Sequence, residues 1–504
     1  MTLLAPPAQS LTMSAGKDLP TPFWLLLLAV APIVAAMGPR ALSFVPGVIL
    51  ALGIASYFWS TRKRPLLSPT PLLYMGAVSA LCLISVLWSV NIHDSIDRAA
   101  KIALVVMGNG LLLSYILARP IERLKFFPLT FLSAFITGLI LLALELYFNG
   151  PLTTTVNGWL GESTDFKYSD LNRGIVALVL CTPSAIALAG FTITDATKRR
   201  AVYAAIFGLL GVLCFLTFSQ SAHLALVTMA FFFFLFPTKR DWAWLTLALL
   251  LSALIFATPF MVQFFFQALP PLIAGVGWFE HSYALERLEI WDYVSRYAMQ
   301  QPLTGWGVEA TRMVTFDTKE LYQGGNTVLH PHNFAVQIWM EFGALGATLG
   351  SLFLLHLLDA IRKLPDLPAR VCLASMMGSL AVASTGYGIW QGWWLGTFIL
   401  IAAYCMLVAK IYAARVTAKP AKTPVKTVVA TAPVAKPAAK AKPKAAAKPK
   451  AKAKTKPKAK AAAKPAAKTA AKPAKKAAVK KAPAKTGAKP KAKAKPKAKS
   501  KSKS

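Results

Sequence analysis

Two histidines and an arginine in one stretch of the chain have the side chains needed to move a proton and to hold a pyrophosphate. His330, His332 and Asn333 lie just before a long apolar run, and Arg287 precedes them in an amphipathic segment. A histidine can act as a general base because its reference pKa lies near neutrality. An arginine can grip a pyrophosphate through two parallel hydrogen bonds. This spacing indicates group-transfer chemistry at the end of the apolar run.

The same residues also have simpler interpretations. His332 and Asn333 can cap the helix that follows, and Arg287, flanked by Glu286 and Glu289, can be a solvated helix charge. Two histidines two positions apart, with no carboxylate or thiol nearby, do not have the ligand set of a metal site, so we expect no metal. The five cysteines are scattered singly, which predicts neither a disulfide framework nor a zinc site.

Two features lie within or beside apolar runs. Glu341 is about two turns inside one run, where an ionisable group is functional by default, although a structural hydrogen bond to a turn at Gly343 explains it equally well. Trp390, Trp393 and Trp394 are most simply an aromatic belt at a membrane interface.

Charge divides the chain into two unlike parts. Of the 504 residues 56% are hydrophobic, yet the formal net charge is +36. Residues 411–504 hold 31 of the 56 Lys and Arg residues and no acidic residue, so the basicity is concentrated in a tail. A soluble enzyme is excluded by the repeated apolar runs before the tail. A nucleic-acid binder along its whole length is excluded because the tail alone is strongly basic.

The apolar runs predict an all-α polytopic membrane protein of about 12 transmembrane helices. A span needs ~20 apolar residues, and such runs lie at 22–37, 41–59, 71–89, 102–118, 127–148, 172–190, 201–217, 221–237, 242–260, 333–358, 371–388 and 394–412. The first run could instead be a signal peptide. Basic clusters such as Arg62–Arg64 and Lys198–Arg200 fall in every second loop, which predicts that both termini are cytoplasmic.

Three segments flank or interrupt this transmembrane domain, which we place at 22–412. Residues 1–21 form a cytoplasmic N-terminus, and residues 261–332 form a large loop on the opposite side of the membrane. Within this loop, 284–300 has the apolar spacing of an amphipathic helix. Residues 413–504, rich in Lys, Ala and Pro, predict a disordered cytoplasmic tail that binds either anionic lipid or nucleic acid.

Several motifs in this order resemble the O-antigen ligase and polymerase family. The pattern begins with His332-Asn333 and continues, nine residues later, with Gly343-x-x-Gly346. Upstream are Arg287 with Trp291 and the turn Pro302-Leu-Thr-Gly305-Trp-Gly307. Two further short motifs, Leu87-Trp88-Ser89 and Asp94-Ser95, lie at the end of the third apolar run and just after it. The resemblance covers most of residues 70–400 and does not include the tail.

This resemblance implies a GT-C-like glycosyltransferase in a bacterial inner membrane. Family members take a glycan from undecaprenyl diphosphate at the periplasmic face, which would make 261–332 a periplasmic loop. Ligases transfer the glycan to a sugar hydroxyl of the lipid A core, and polymerases transfer it onto another lipid-linked repeat. The expected partners are therefore this donor, a lipid A-core or glycan acceptor, and the membrane. The resemblance implies no metal or nucleotide cofactor, assigns His332 as the catalytic histidine, and assigns Arg287 to the diphosphate.

The chain departs from the family at one position. Where the family has an arginine at the outer start of a span, this sequence has Gln220. Glutamine can hydrogen-bond a phosphate oxygen but cannot neutralise its charge. His223, one helical turn further on, and Arg173, at the start of the sixth run, are two candidates to supply the missing charge. We therefore expect Gln220, His223 and Arg173 to join Arg287 at the diphosphate.

Two other classes of function compete with this interpretation. A transporter for an anionic lipid or solute would explain twelve spans, but such proteins tend to have internal repeats and broken helices near the midplane. We find no convincing repeat between the two halves. A membrane anchor for a nucleic-acid-binding tail would leave the motifs of residues 280–346 without a purpose. Between ligase and polymerase we favour ligase, since the large loop lies directly before the histidine.

Overall fold

The computed structural model describes residues 23–119, 126–159, 161, 163–273, 284–316, 322 and 326–418. The predicted N-terminal segment 1–21 lies outside the described residues, as does the predicted tail from residue 419 onward. The localisation and ligands expected for these two segments therefore stay predictions.

The described residues form helices joined by loops and short helical turns. Fifteen helices are numbered here in chain order: α1 Phe23–Met37, α2 Val45–Thr61, α3 Pro69–Ser85, α4 Ile92–Leu117, α5 Phe127–Tyr147, α6 Pro151–Trp159, α7 Asn172–Thr192, α8 Ala196–Leu216, α9 Gln220–Ala230, α10 Asp241–Ala268, α11 Pro270–Ile273, α12 Ala284–Ala298, α13 Phe334–Arg362, α14 Asp366–Ala383 and α15 Gly392–Ala418. A π-helical turn, Phe231–Leu235, extends α9.

Nine helices in the described ranges are long and apolar enough to cross a membrane. Three shorter apolar helices, Phe23–Met37, Val45–Thr61 and Gln220–Leu235, lie where three further spans are predicted. Each of the twelve predicted spans thus contains a helix, which confirms an all-α membrane protein. The number of crossings stays a prediction.

Several helix ends differ from the sequence prediction. Helix α4 begins at Ile92, before the predicted start at 102, and α10 continues to Ala268, so residues 261–268 of the predicted loop 261–332 are helical. The eleventh span, predicted at 371–388, ends as α14 at Ala383, so residues 384–391 form a loop between α14 and α15. The last helix continues to Ala418, past the predicted boundary at 412. The amphipathic helix predicted at 284–300 is confirmed as α12, with Leu288 and Val294 buried.

Helix α7 lies at the centre of the bundle. Almost every residue from Gly174 to Ala189 is buried, and α7 packs against α1, α5, α9, α14 and α15. A glycine permits the tightest of these approaches, since a Cβ on Gly174 would lie 2.2 Å from the carbonyl oxygen of Ala36 in α1. The central helix therefore fixes the positions of the helices that carry the candidate site.

Three helix ends meet at one end of the bundle. A Cβ on Gly378 of α14 would lie 2.4 Å from the Met229 side chain of α9, and one on Gly386 would lie 3.3 Å from Ser221 Oγ. Helices α9 and α14 are therefore antiparallel, with the start of α9 beside the end of α14. The start of α13 joins them, because His332 hydrogen-bonds the carbonyl oxygen of Gly386. We call this the site end.

Helix α13 breaks at Gly343, where φ is 56° and ψ is −146°. The turn between Pro302 and Gly307 packs into the break. Its Pro302 carbonyl accepts a hydrogen bond from Ala344 N at 2.7 Å, and Trp306 N and Gly307 N donate to the Met340 and Glu341 carbonyls, each at 2.9 Å. Backbone groups freed by the break are thus satisfied within the membrane-spanning helix, as an apolar environment requires.

We expect Gly343→Ala to destabilise the protein. Alanine strains this backbone conformation by about 1–3 kcal/mol, and its Cβ would lie 2.7 Å from the Pro302 carbonyl oxygen. The measurement is the thermal midpoint of the purified protein in detergent. Gly350→Ala on the same helix is the matched control, because its Cβ makes only ordinary contact, 3.6 Å from Ile338. Equal midpoints for the two variants would contradict the strain argument.

Candidate active site

Arg287 and His332, to which the family resemblance gives roles in the reaction, both hydrogen-bond the loop between α14 and α15, residues 384–391. Arg287 Nη1 donates to the Thr385 carbonyl oxygen at 2.9 Å. His332 Nδ1 donates to the carbonyl oxygen of the next residue, Gly386. Arginine and histidine come from α12 and from the start of α13, so adjacent carbonyls of a third segment bring them together.

The hydrogen bond to Gly386 fixes the protonation of the His332 ring. A carbonyl oxygen only accepts, so Nδ1 carries the hydrogen and the lone pair of a neutral ring lies on Nε2. Burial lowers the pKa of His332, and the nearby Arg287 charge lowers it further, while the bond to Gly386 acts in the opposite direction. The ring is therefore neutral at neutral pH and presents a basic nitrogen.

The backbone around His332 is held by its neighbours. His332 itself has a left-handed φ of 57°. Asn333 caps α13, its Oδ1 accepting from Ala335 N at 3.0 Å and Val336 N at 3.2 Å, which confirms the predicted cap. Trp291 Nε1 of α12 donates to the Pro331 carbonyl at 2.6 Å. The His332 ring is therefore positioned by hydrogen bonds that hold both the preceding residue, Pro331, and the following residue, Asn333.

His330 belongs to the same cluster but has a different hydrogen-bond partner. Trp393 Nε1 donates to Gln391 Oε1 at 2.8 Å, which orients the amide so that Gln391 Nε2 donates to His330 Nε2 at 2.8 Å. Burial lowers the pKa of His330 to about 3, with smaller contributions from His332, Arg312 and Arg287. His330 is therefore neutral, and it packs on His332 with ring centroids 4.2 Å apart.

Two cations approach the same tyrosine of this loop. Burial raises the pKa of Tyr387 to about 12, and Arg173 and Arg287 both act against that rise, so both charges lie near its hydroxyl. Arg173 Cζ is 5.6 Å from the Trp393 ring, which stacks edge-on against Tyr387 at 4.6 Å. Arg173 of α7 and Arg287 of α12 are therefore both within electrostatic range of Tyr387. Arg287 is itself buried enough for its pKa to be lowered by desolvation.

The structure separates the two candidates to replace the family arginine. Gln220 is the first residue of α9 and is half-buried at the site end, next to Ser221, which contacts Gly386. His223 is also half-buried, but its Nδ1 bonds the Ser219 carbonyl of its own chain segment at 3.1 Å. Of the two candidates, Arg173 is the one whose charge acts on Tyr387 in the 384–391 loop.

Glu341 contributes to the loop rather than to the Gly343 turn. Its side chain is fully buried, and its carboxylate accepts from Gln337 Nε2 at 2.8 Å and from Trp390 Nε1 at 2.6 Å. Gln337 in turn accepts from Ile389 N at 3.0 Å. This network replaces the predicted hydrogen bond of the Glu341 side chain to the Gly343 turn. It links α13 to the 384–391 loop.

The remaining motif residues are glycines with steric roles. Gly305 and Gly307 have φ values of 65° and 88°, and a Cβ on Gly305 would lie 2.5 Å from the backbone of Glu341. A Cβ on Gly346 would lie 2.5 Å from the Phe342 side chain. These glycines let the 302–307 turn approach α13, so they shape the helix that begins at His332.

Several contributors to the site were missed by the sequence interpretation. Gly388 packs on His330, since a Cβ there would lie 2.7 Å from His330 Cγ. Arg312 pairs with Glu309 and lies close enough to His330 to affect its pKa. The aromatic-belt interpretation of the tryptophans was wrong: Trp393 and Trp394 are buried in the bundle. The glycines in Thr385-Gly-Tyr-Gly388 were the available signal for a loop.

The side chains that commonly bind metal ions are not clustered in the described residues. In the part of the chain that the structure describes, no group of three or more His, Cys, Asp or Glu side chains could hold a metal ion.

The comparisons with known proteins agree with this site. Residues 205–350 match the family described as O-antigen ligase. This central region is therefore similar to the O-antigen ligase family. It includes Gln220, Arg287 and His332, whereas Arg173 and the 384–391 loop lie outside the matched residues. The resemblance drawn from the motifs is confirmed.

Curated relatives give the same family. A protein of Rickettsia conorii is 27% identical over 133 residues, which are 25% of this chain and 32% of that protein. A protein of Rickettsia typhi is 29% identical over 133 residues, 25% of this chain and 33% of that protein. Both carry the name "Putative polysaccharide ligase". The match spans about a third of the length of these relatives.

We expect any glycan-transfer activity that depends on a neutral His332 to fall at acid pH with a midpoint below 6.5. Burial together with the Arg287 charge holds the pKa of His332 below the ordinary value of 6.5. Activity should therefore be constant above that value and decrease as the pH falls through the lowered pKa. The measurement is the pH dependence of kcat/KM in purified protein.

The exposed His93 provides the control for this profile. Its side chain is 98% exposed, so His93→Asn should leave the profile unchanged. An acid midpoint above 6.5 in the wild type would contradict the assignment of the lowered pKa to His332.

Proposed function

We propose that the protein transfers a glycan from undecaprenyl diphosphate to a sugar hydroxyl of an acceptor at the periplasmic face of a bacterial inner membrane. The reaction is that of an O-antigen ligase, with the lipid A core as acceptor. The domain spans 22–412, both termini are cytoplasmic, and 261–332 is periplasmic. The family match and the polysaccharide ligase relatives support a role in surface polysaccharide assembly.

One observation carries this proposal. The buried guanidinium of Arg287 and the neutral imidazole of His332 are anchored at the site end by two consecutive carbonyls, those of Thr385 and Gly386. The first group suits an anionic leaving group, and the second suits a hydroxyl that must lose a proton. A glycosyl transfer from a diphosphate needs both groups within one site.

The step balances with these two residues. Nε2 of His332 accepts the proton of the acceptor hydroxyl as its oxygen attacks the anomeric carbon of the donor sugar. The bond between the anomeric carbon and the phosphate oxygen breaks, and undecaprenyl diphosphate leaves with the electron pair. Arg287 neutralises the charge that develops on the diphosphate. No metal or other cofactor takes part in this proposal.

Arg173 supplies the second positive charge that Gln220 cannot. Arg173 and Arg287 both lie near the Tyr387 hydroxyl, so a diphosphate beside this tyrosine meets both cations. Gln220 and His223, at the start of α9, contribute hydrogen bonds to the same anion. Arg173 of α7 thus provides the positive charge that the family has at the position of Gln220 in α9.

We expect Arg173→Ala to lower kcat/KM about tenfold to a hundredfold, the value of one hydrogen-bonded charge. Adding Gln220→Arg to this variant should restore most of the activity, because it returns a cation to the family position. The assay is transfer of labelled glycan by purified protein. If His223→Ala lowers activity more than Arg173→Ala, the histidine is the substitute instead.

The experiment that tests the function is the lipopolysaccharide profile of a deletion strain, complemented with the wild-type gene or left uncomplemented. Loss of polymer from the lipid A core, with long glycan accumulating on undecaprenyl diphosphate, is the expected result. Cores capped by a single repeat would mean that the protein is a polymerase of the same family. An unchanged profile in the deletion strain would contradict both and would favour another glycan or a transporter.

A further inference from the structure

A long apolar cavity lies between α3, α4, α13, α14 and α15. Its volume is about 470 Å³. The lining is aliphatic, aromatic and thioether side chains almost throughout, with Met75, Val106, Leu357, Met376, Phe398 and Met406 as examples. All five helices are among those long and apolar enough to cross a membrane.

Such a lining selects for hydrocarbon. Polar groups transferred into it would lose hydrogen bonds, because the few polar side chains of the lining, such as Thr70, His356 and Ser375, lie on three different helices among apolar neighbours. The side chains that line an empty cavity also lack the dispersion contacts that a bound apolar group would provide. In a bilayer, the group that satisfies these requirements is a lipid chain.

The length of the cavity favours a long chain over a phospholipid tail. Along α15 it is lined from Leu395 to Ala409, and at a rise of 1.5 Å per residue this corresponds to ~21 Å. The hydrocarbon core of a bilayer is ~30 Å thick, so a phospholipid tail confined to one leaflet reaches only about half of that. A polyprenyl chain is long enough to follow the whole cavity.

The direction of the cavity matches an amphiphile bound at the site. One end is lined by Leu380, which precedes the 384–391 loop, and by Trp390 within it. Trp390 also donates to Glu341, and the same loop anchors Arg287 and His332. The opposite end is lined by Leu117 and Ala409, near the other ends of their helices. The loop that anchors the Arg287 charge thus lies at one end of the hydrocarbon cavity.

We propose that this cavity binds the polyprenyl chain of the lipid-linked donor, with the diphosphate at the 384–391 loop. The inference rests on the proposed function and adds a binding site for the chain. The cavity selects donors by chain length, because each additional buried isoprene unit adds favourable apolar contact until the far end at Ala409 is reached.

The test narrows the cavity at two depths and measures binding of two probes. Ala402→Phe blocks it midway, and Ala409→Phe blocks it at the far end. The probes are undecaprenyl diphosphate and dimethylallyl diphosphate, which has a single isoprene unit, with protein in phospholipid nanodiscs. We expect Ala402→Phe to weaken undecaprenyl diphosphate binding about tenfold, equivalent to roughly two lost methylene burials. Ala409→Phe should weaken it less, and neither should change dimethylallyl diphosphate binding.

Comparison between variants removes the effect of lipid partition, which is the same for all of them. Leu249→Phe is the matched control, since Leu249 is 61% exposed on α10 and lies outside the cavity. If the cavity variants bind undecaprenyl diphosphate as tightly as Leu249→Phe does, the chain lies elsewhere and the inference is wrong. Native mass spectrometry that finds a phospholipid which undecaprenyl diphosphate does not displace would also overturn it.

The failure of this inference differs from failure of the proposed function. Weakening of both probes by Arg287→Gln, with no effect of Ala402→Phe, would leave the diphosphate site standing and remove the cavity. A wild-type protein that binds neither diphosphate would overturn both proposals together.

Discussion

Replacing His332 with asparagine should lower kcat for glycan transfer about 10²–10⁴-fold, the usual contribution of a general base. The donor KM should change little, because His332 acts on the acceptor hydroxyl in the transition state rather than on the bound donor. The assay is single-turnover transfer from a lipid-linked glycan by purified protein.

Asparagine is the better variant here because of the backbone. His332 has a φ of 57°, a conformation that asparagine adopts more readily than alanine. Its amide can still donate to the Gly386 carbonyl that now accepts from Nδ1. His332→Asn therefore removes the basic nitrogen while keeping the anchor, whereas His332→Ala removes both and strains the loop.

The measured result separates chemistry from positioning. A loss shared by His332→Asn and His332→Ala identifies the basic nitrogen as the group that matters. Activity of the asparagine variant within tenfold of wild type would mean that the ring only positions the loop. Circular dichroism and the thermal midpoint should be unchanged for His332→Asn.

Much of the fold could be predicted because membrane spans are local features. Each span satisfies its own backbone hydrogen bonds, so hydropathy alone places it. The helices α4, α7 and α13 lie where apolar runs predicted them, and Asn333 caps α13 as expected. The amphipathic helix with Arg287 followed from its three-residue spacing in the same way.

The convergence at the site could not be predicted in this way. Arg287 and Thr385 are 98 residues apart, and His332 and Gly386 are 54 apart, so only tertiary packing brings them together. Residues 384–391 contain Tyr387, Ile389 and Trp390, whose apolar side chains look like a membrane span. The loop is held by two hydrogen bonds to a neighbouring helix: Ile389 N donates to Gln337, and the Trp390 indole donates to Glu341.

Motif spacing filled part of this gap. The order of Arg287, the 302–307 turn and His332-Asn333 pointed to one site although nothing local joined them. It did not indicate which residue would compensate for Gln220, because that depends on what surrounds the start of α7. The structure places Arg173, at the start of α7, over the Trp393 ring and within electrostatic range of Tyr387, an arrangement that no spacing in the sequence encodes.

Replacing Arg287 with glutamine should lower kcat/KM about 10²–10³-fold, the typical effect of removing one group that stabilises charge in the transition state. The Arg287 guanidinium is partly desolvated, which strengthens its interaction with an anion. Its bond to Thr385 uses one of five N–H donors and leaves others for two phosphate groups.

Lysine at this position should give an intermediate result. Arg287→Lys keeps the positive charge but loses the planar fork that binds two oxygens at once. We therefore expect its kcat/KM to lie between those of wild type and Arg287→Gln. Inhibition by inorganic pyrophosphate provides a second measurement, which should weaken in the same order.

The control lies on the same helix. Arg296 is exposed and pairs with Asp292 at 2.8 Å, so Arg296→Gln removes a positive charge of α12 away from the 384–391 loop. Its activity and its pyrophosphate inhibition should stay within about twofold of wild type, because the glutamine amide can still donate a hydrogen bond to the buried Asp292 carboxylate. Equal losses in Arg287→Gln and Arg296→Gln would mean that the net charge of α12, rather than a specific clamp, determines activity. Loss of activity in Arg287→Gln with unchanged pyrophosphate inhibition would assign Arg287 to holding Thr385 alone, and the diphosphate would then depend on Arg173.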